Sequence, residues 1–145
     1  MQIKSESEML KAGQDFALTL MHRSNFGTNP IVIELVGDVG AGKTTFTRGL
    51  ARGLGIKSEV TSPSFTISKS YAFKDQSGTP RTLTHYDFYR LQDPGLMQDD
   101  LAESIASSCI TIVEWADSVE NILPKDRITI NISYNDDDTR ELIIR

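Results

Sequence analysis

The chain is 145 residues long, is 39% hydrophobic and carries 15 Lys and Arg residues against 20 Asp and Glu residues, a formal net charge of −5. This length predicts one domain, residues 1–145, that buries about 68–70% of the surface of its unfolded chain. The acidic balance argues against a protein that grips DNA or RNA through a broad basic face, but leaves room for a local basic groove or for action on RNA through a partner.

The cysteine content and the N-terminus predict a cytoplasmic protein. Cys109 is the only cysteine, so no internal disulfide can form, which agrees with a reducing compartment. The adjoining "ITIV" favours a buried structural thiol over a nucleophile. The first residues, "MQIKSESEMLKAG", lack the apolar core of a signal peptide, and no segment is apolar enough to cross a bilayer, so we expect no membrane contact.

The first predicted elements are a helix and a buried strand. Ser5, with Glu8 three residues later, forms a capping-box pattern that indicates a helix start. Apolar residues then recur at helical spacing, namely Met9, Ala12, Phe16, Leu20 and Met21. After Asn29-Pro30, the run "IVIELV" predicts a buried strand whose one polar interruption is Glu34.

The stretch "GDVGAGKTT", residues 37–45, follows this strand directly, and a second helix is predicted from about Lys43 to Leu54. One face of that helix carries apolar residues, namely Phe46, Leu50 and Leu54. We expect Gly49 and Gly53 to let the helix lie close to the sheet, and Gly55 to end it as a C-cap.

The next segments predict an antiparallel pair of strands. "SEVTSPSFTISKSYAF" is expected to start as a short strand, to break at Ser62-Pro63 and then to resume. The apolar residues of the resumed strand are Phe65, Ile67, Tyr71 and Phe73. A turn at "KDQSGTP" leads to "RTLTHYDFYRL", the alternating strand with which it pairs.

The rest of the chain predicts a helix, a buried strand and a terminal hairpin. "DPGLMQDDLAESIAS" is helical, with a start that Pro94-Gly95 leaves open, and "CITIVEW" is a buried strand with a carboxylate at its end. "RITINIS" and "RELIIR" flank Asp136–Asp138, which favours a hairpin turn over a metal site. The predicted fold is therefore α/β, with a mixed sheet whose parallel central strands are flanked by antiparallel hairpins.

Residues 37–44 match the pattern G-x-x-x-x-G-K-[ST] of a P-loop in full, between a buried strand and a helix, so the predicted domain is a single P-loop NTPase domain. The glycines of the loop permit backbone angles that turn successive N–H groups inward as an anion nest, and the helix start adds its positive dipole end. The Lys43 ammonium would bridge the β- and γ-phosphates, and the Thr44 hydroxyl would ligate Mg²⁺. Asp38 is read as a turn former. The predicted nucleotide-binding residues are Gly37, Asp38, Val39, Gly40, Ala41, Gly42, Lys43, Thr44 and Thr45.

Hydrolysis needs more than a P-loop, namely a carboxylate for the metal and a group that orients water. Asp87 in "THYDFYR" shares a strand face with Leu83 and His85 and could hold the metal directly or through water. Glu114 in "ITIVEW" ends a hydrophobic run, the usual place for a carboxylate beside the P-loop strand. Either carboxylate alone is as well explained by a strand-end cap or an ion pair, but the two together favour function.

The "TSPSF" segment is a candidate switch, since Pro63 stiffens a loop rich in hydroxyls that could contact a γ-phosphate. Thr61 is the first choice for that contact and Ser62 the second. A plain turn between strands explains the segment almost equally well.

Three further residues have open roles. Arg90 could neutralise charge in a transition state, but an ion pair with Asp87 or Asp93 is favoured. His85 is read as a positioning or packing residue. Trp115 could belong to the core or form an exposed anchor for a partner.

These segments together resemble one family, the bacterial ATPase of tRNA threonylcarbamoyladenosine biosynthesis known as TsaE. The resemblance rests on "GDVGAGKTTFTRGLARGLG", "VTSPSFTISKSY", "HYDFYRL" and "IVEWAD", with "LPKDRITINI" as a weaker match. The matches span most of the chain from Ile31 to Ile132, and their combination is far more specific than a P-loop alone.

The resemblance implies an ATPase that uses ATP and Mg²⁺, is weak alone and is stimulated by a heterodimer of two paralogous sugar-kinase-like proteins, of the TsaB and TsaD type. One of these transfers threonylcarbamoyl to adenosine 37 of tRNAs that read codons beginning with A. Hydrolysis is implied to reset that complex, so tRNA is reached only indirectly.

The resemblance also assigns roles by motif position. Lys43 and Thr44 hold phosphate and metal, Asp87 is the metal-associated carboxylate, Glu114 is the catalytic carboxylate beside the metal, and Thr61 is the switch hydroxyl. The sequence differs from the family pattern at three places. Ser64 replaces a more usual Thr, Met9 stands where a Thr is expected near the adenine pocket, and "LMQDDLAES" lacks a Gly-centred pattern that bears on partner contacts.

Three other functions compete with an ATPase for a chain with a P-loop. A small-molecule kinase usually needs a lid and an acceptor pocket, and a chain of 145 residues is short for a P-loop domain that carries both. A GTPase needs an N-K-x-D or T-K-x-D motif, which the sequence lacks. A nucleotide-gated interaction module with negligible turnover stays open.

Overall fold

The computed structural model describes residues 1–63, 67–89, 93, 95 and 97–145. Of the residues discussed above, Ser64, Phe65, Arg90 and Pro94 lie outside this description. The strands are β1 (Gln2–Ile3), β2 (Ile31–Val36), β3 (Ser68–Lys74), β4 (Pro80–Asp87), β5 (Ile110–Glu114), β6 (Ile128–Tyr134) and β7 (Arg140–Ile144). The helices are α1 (Glu6–Met21), α2 (Lys43–Gly53) and α3 (Met97–Ser107), with a 3₁₀ helix over Ala116–Ile122.

The strands form a seven-stranded sheet in the order β1-β7-β6-β2-β5-β4-β3. Strands β6, β2, β5 and β4 run parallel to one another, whereas β3 pairs antiparallel with β4 at one end and β7 and β1 pair antiparallel at the other. The predicted fold class, an α/β domain with a parallel centre and antiparallel flanks, is therefore confirmed. The P-loop strand β2 lies between β5 and β6, near the middle of the sheet.

Each face of the sheet is covered by its own helices. Alternate residues of a strand point to opposite faces, so β2, β4 and β5 contribute side chains to the buried clusters on both faces. Helices α1 and α2 cover one face, where Ile33 of β2, Ile112 of β5 and Ile130 of β6 are buried with them. Helix α3 and the 3₁₀ helix cover the other face, where Val32 and Val113 are buried. Residues of β4 and β5 that share a face with Ile112 therefore point toward the side of α2 and the P-loop.

Helices α1 and α2 pack with their backbones in close approach, which differs from the expected role of the α2 glycines. A Cβ on Gly49 would lie 2.1 Å from the carbonyl oxygen of Leu10 in α1, and a Cβ on Gly53 would lie 2.6 Å from the Cβ of Ala17. Gly49 and Gly53 thus let α2 approach α1, not the sheet. The prediction for Gly55 holds, since its φ of +85° directly after the C-cap suits glycine.

The helix start predicted at Ser5 is confirmed. Ser5 Oγ accepts from the backbone N–H of Glu8 at 3.2 Å, while the Glu8 carboxylate accepts from the N–H of Lys4 at 2.6 Å, one residue before the capping-box position. The apolar residues Met9, Ala12, Phe16 and Leu20 are buried as predicted, and Met21 is half-buried.

Two predictions of strand structure need correction. The short strand expected before Ser62-Pro63 is wrong, since none of residues 57–63 is in a strand. Strand β1 was not predicted, because two residues carry no readable alternation.

Cys109 is half-buried, and its burial raises the pKa of the thiol, which suits a structural residue. Residues 136–138 form the turn between β6 and β7.

Glu34, the polar residue within β2, forms an ion pair with Arg127, a residue to which no role was assigned from the sequence. Arg127 Nε donates to Glu34 Oε1 at 2.8 Å, and another guanidinium nitrogen donates to Glu120. The hydrogen bond to Glu34 is the main reason why the pKa of Arg127 is raised. Both Glu34 and Arg127 are half-buried, and the Glu34 carboxylate is compensated by Arg127.

We therefore expect Arg127→Met to lower the free energy of unfolding by about 1–3 kcal/mol, because it leaves the Glu34 carboxylate partly buried and unpaired. Urea unfolding measures the loss, and Lys125→Met, at an exposed position, serves as the matched control. Adding Glu34→Gln to Arg127→Met should recover part of the loss. No recovery in this double variant would contradict the explanation.

Within the described part of the chain, no helix combines the length and the apolar character needed to span a bilayer.

Candidate functional site

The P-loop connects the end of β2 to the start of α2, as predicted. Gly40 and Gly42 have φ angles of +82° and +114°, a left-handed conformation that glycine adopts at little cost. Gly37 has no such angle, and its requirement is close approach, since a Cβ there would lie 2.5 Å from the carbonyl oxygen of Ile132 in β6. The turn that contains Asp38 is closed by a hydrogen bond from the N–H of Ala41 to the carbonyl of Asp38, at 3.0 Å.

The Lys43 side chain folds back over the loop and is nearly buried, with 7% of its surface exposed. Its ammonium donates to the carbonyl of Gly37, lies 3.8 Å from Glu114 Oε1 and lies 4.2 Å from the centroid of the Trp115 ring. A buried cation needs compensation, which the carboxylate, the carbonyl and the aromatic face supply here. The predicted phosphate ligand and the predicted catalytic carboxylate are thus neighbours.

Glu114 ends β5, directly across from Leu35 near the end of the P-loop strand, and is 3% exposed. His85 of β4 is fully buried, and its Nε2 lies 2.5 Å from Glu114 Oε2. Because a carboxylate only accepts, Nε2 must be the donor. Within the described residues, nothing hydrogen-bonds to the buried Nδ1. Of the two roles left open for His85, the structure supports positioning.

Asp87 is the register partner of Glu114 on the neighbouring parallel strand, so the two carboxylates leave the sheet at the same edge. Asp87 is buried, its Oδ1 accepts from the N–H of Tyr89 at 2.9 Å, and its Oδ2 lies 3.5 Å from Ser62 Oγ. The contact with Ser62 links the predicted metal carboxylate to the predicted switch segment.

The Thr61 side chain is hydrogen-bonded to strand β3. The ammonium of Lys69, a β3 residue, donates to Thr61 Oγ1. Thr61, Ser62 and Lys69 are all half-buried. The sequence indicated Thr61 but gave no reason to select Lys69.

Of the two roles considered for Trp115, the core role is supported in part, because this side chain packs against the buried cluster on the α3 face of the sheet. It is half-buried, packs against Tyr89 with ring centroids 4.7 Å apart, and covers the Lys43 ammonium. Its φ of +54° is unusual for a bulky residue and marks local backbone strain directly after Glu114. Tyr89 is 52% exposed at the mouth of the site.

The predicted terminal hairpin, β6 and β7, also contacts the P-loop, and the sequence did not predict this contact. Tyr134 of β6 donates its hydroxyl hydrogen to the carbonyl of Gly40. Arg140 of β7 donates through Nε to the carbonyl of Ala41 at 3.0 Å, and its guanidinium carbon lies 4.0 Å from the centroid of the Tyr134 ring. These contacts hold the carbonyls of Gly40 and Ala41 in fixed directions.

A cavity of about 260 Å³ opens beside the loop, between the start of α1 and β7. Its lining includes Ser5, Met9, Gly42, Thr45 and Arg140. Met9, noted above as a departure, is buried and faces Gly42, since a Cβ on Gly42 would lie 3.0 Å from the Met9 methyl. The cavity offers space to whatever part of a ligand extends beyond the loop.

The structure thus gathers Lys43, Glu114 and Asp87 at one edge of the sheet, with Thr61 linked to that edge through Ser62. Thr44 and Thr45 are half-buried in the first turn of α2, whereas Val39 is 67% exposed at the tip of the loop. The role considered for Arg90 stays outside the described residues.

The sheet, its central strand and the loop that follows it define a P-loop domain of the α/β class. A model of the family described as "Threonylcarbamoyl adenosine biosynthesis protein TsaE" matches residues 3–142. The chain belongs to the TsaE family, as the sequence motifs predicted.

Relatives and a solved structure agree with this assignment. The tRNA threonylcarbamoyladenosine biosynthesis protein TsaE of Haemophilus influenzae is 35% identical over 136 residues, which cover 93% of this chain and 82% of that protein. The Bacillus subtilis protein of the same description is 44% identical over 113 residues, covering 77% of this chain and 66% of that protein. The crystal structure of Bacillus subtilis YdiB has a TM-score of 0.69 at 34% identity and covers 98% of this chain and 80% of that chain.

Proposed function

We propose that this chain is a Mg-dependent ATPase of tRNA threonylcarbamoyladenosine biosynthesis. One observation supports hydrolysis above all others. A buried carboxylate, Glu114, lies 3.8 Å from the P-loop lysine and is oriented by a buried histidine at 2.5 Å. A chain that only bound nucleotide would have no need of this oriented acid beside its phosphate-binding lysine.

The residues present fit a nucleoside triphosphate. The left-handed angles at Gly40 and Gly42 suit an anion nest, and α2 begins at Lys43 with its positive dipole end toward the loop. The Lys43 ammonium is compensated by groups of the protein, and a phosphate group can replace them as its partner. Bound ATP would supply the phosphoanhydride bond that is broken.

The residues also fit Mg²⁺. Thr44, Asp87 and Glu114 are the oxygen donors that we propose for it, Asp87 directly or through water. Within the described residues, no group of three or more His, Cys, Asp and Glu side chains could hold a metal alone. A Mg²⁺ ion here would therefore complete its oxygen shell from phosphate and water, as this ion commonly does.

The roles of the chain's own residues follow from their positions. Lys43 binds phosphate, Glu114 accepts a proton from the attacking water, and His85 keeps the Glu114 carboxylate in place by donating to Oε2. Trp115 covers the Lys43 ammonium and helps to exclude bulk water. Thr61 contacts the terminal phosphate as the switch hydroxyl.

The chain takes part in tRNA threonylcarbamoyladenosine biosynthesis, and we propose a specific place for it there. Its partner would be the heterodimer of TsaB-type and TsaD-type proteins, and hydrolysis would reset that complex between rounds of transfer to adenosine 37. It would work in the cytoplasm and reach tRNA only through the heterodimer. Family membership and the oriented acid support this proposal.

The nucleotide-gated interaction module is the second candidate, since the family resemblance implies a weak ATPase when alone. ATP hydrolysis by the purified chain, measured with and without the heterodimer, separates the two functions. Stimulated phosphate release supports the ATPase, whereas partner binding that depends on ATP without phosphate release supports the module. Transfer of phosphate to a metabolite would favour a kinase instead.

A pull-down from bacterial lysate tests the partner directly, with the chain as bait in ATP and in ADP. We expect the heterodimer to be retained in one nucleotide state more than in the other. Equal recovery in both states would contradict nucleotide control of the contact.

We expect Lys43→Ala to abolish nucleotide binding, because it removes the only cation that the described P-loop offers to the phosphates. Isothermal titration with Mg-ATP measures the affinity. Lys57→Ala, at an exposed position after α2, is the matched control and should bind like the unmodified chain. Retained affinity in Lys43→Ala would overturn the assignment of the loop.

A further inference from the structure

Lys69 lies on the same face of the sheet as the proposed catalytic residues. It is the register partner of His85 across the antiparallel β3–β4 pair, and residues directly opposite in such a pair point to the same face. On that face His85 reaches Glu114, and Asp87 follows His85 two residues along β4. Lys69 therefore lies on the face of the sheet that carries His85 and Glu114, on β3, the outermost strand.

The direction of the hydrogen bond between Lys69 and Thr61 can be assigned. An ammonium has three donors and no acceptor, so Thr61 Oγ1 must accept. The hydroxyl hydrogen of Thr61 is then left to be donated elsewhere. A hydroxyl that accepts from a cation is also a stronger donor, because neighbouring hydrogen bonds polarise one another.

We propose that Lys69 is a positioning residue for hydrolysis, which holds the Thr61 hydroxyl so that its hydrogen is offered to the terminal phosphate. This inference rests on the proposed function and deepens it, because it gives a role to a residue outside the proposed set of catalytic and metal-binding side chains. The link from Ser62 Oγ to Asp87 Oδ2 places the same segment beside the metal carboxylate. Lys69 thus acts through Thr61 and does not itself need to contact the nucleotide.

The proposal predicts an effect that depends on the γ-phosphate. In Lys69→Met, which keeps the length of the side chain and removes its charge, the single-turnover rate of ATP hydrolysis should fall by about 10- to 100-fold, the range for one hydrogen bond to a charged group. The affinity for ADP should stay unchanged, since ADP lacks the phosphate that Thr61 addresses. Lys69→Arg, which keeps a donor, should recover part of the rate.

The controls separate positioning from general damage. Lys74→Met, on the same strand but exposed, should hydrolyse ATP like the unmodified chain. Thr61→Val should lose as much rate as Lys69→Met, and the double variant should lose no more than either, because both act through one hydroxyl. ADP affinity reports folding of the site in every variant, and Lys69→Gln replaces Lys69→Met should the latter fail to fold.

The outcomes are distinguishable. An unmodified chain that neither binds nor hydrolyses ATP would overturn the proposed function, and with it this inference. An unmodified chain that hydrolyses ATP, together with a Lys69 variant of equal rate, would overturn the role of Lys69 alone. Independent, additive losses in the double variant would do the same.

Discussion

Glu114→Gln should hydrolyse ATP about 100- to 10,000-fold more slowly than the unmodified chain while binding Mg-ATP almost as tightly, the usual range for loss of a general base. The glutamine keeps the size of the side chain and an oxygen that can accept from His85, so the site should stay assembled. What it loses is the ability to take a proton from water. An interaction that is made mainly in the transition state lowers the rate without weakening ground-state binding.

Single-turnover hydrolysis and titration with a non-hydrolysable ATP analogue together test this expectation. Glu114→Ala should show the same separation of rate from binding, although it also removes the partner of His85. Glu103→Gln, exposed on α3 on the opposite face of the sheet, is the control and should leave both quantities unchanged. Equal losses of binding and of rate in both Glu114 variants would show that the carboxylate serves the ground state, contrary to its proposed role.

Gly49→Ala should destabilise the fold, because it forces α1 and α2 apart where their backbones meet. The added Cβ would lie 2.1 Å from a backbone oxygen of α1, which cannot rotate away as a side chain can. The two helices must separate, and overpacking of this kind costs about 3 kcal/mol at its upper end. Alanine is favoured over glycine inside a helix by about 1 kcal/mol, so a net loss of about 2 kcal/mol is expected.

Thermal unfolding should show this loss as a decrease in Tm of about 4–8 °C for a chain of this size. Arg52→Ala, exposed on the same helix, should change Tm little, since surface substitutions usually stay within about 0.5 kcal/mol. Gly13→Ala tests the same contact from α1, because a Cβ there would lie 2.3 Å from the carbonyl oxygen of Phe46. Unchanged stability in both glycine variants would show that the helices can separate at little cost.

The central strands and the P-loop could be predicted because local sequence determines them. "IVIELV" and "CITIVEW" are continuous apolar runs, which suit strands buried on both faces, and the P-loop lies between a strand and a helix as its chemistry requires. Glu114 and Asp87 could be selected because each lies at the end of a predicted strand, whereas their pairing across β4 and β5 could not be predicted. The strand expected before Ser62 failed, because a few β-branched residues do not outweigh the lack of a partner strand.

Contacts between distant parts of the chain could not be predicted. Tyr134 and Arg140 meet the P-loop across about a hundred residues of sequence, and neither belongs to a motif. Gly49 was recognised as a close-approach residue, but the helix that it approaches depends on packing, which periodicity does not reveal. Lys69 reads as an ordinary edge-strand lysine until its register with His85 is known.

Because β2 lies between β5 and β6, residues on the two sides of β2 contribute differently to the site. Glu114 and Asp87 and the buried His85 come from β5 and β4 on one side of β2, whereas the β6–β7 hairpin on the other side holds the loop and lines the cavity beside it. Evolutionary or engineered change can therefore act on the two sides separately. Under the proposed function, substitutions in the hairpin would alter how long a nucleotide stays bound, and substitutions in β4 and β5 would alter how fast it is hydrolysed.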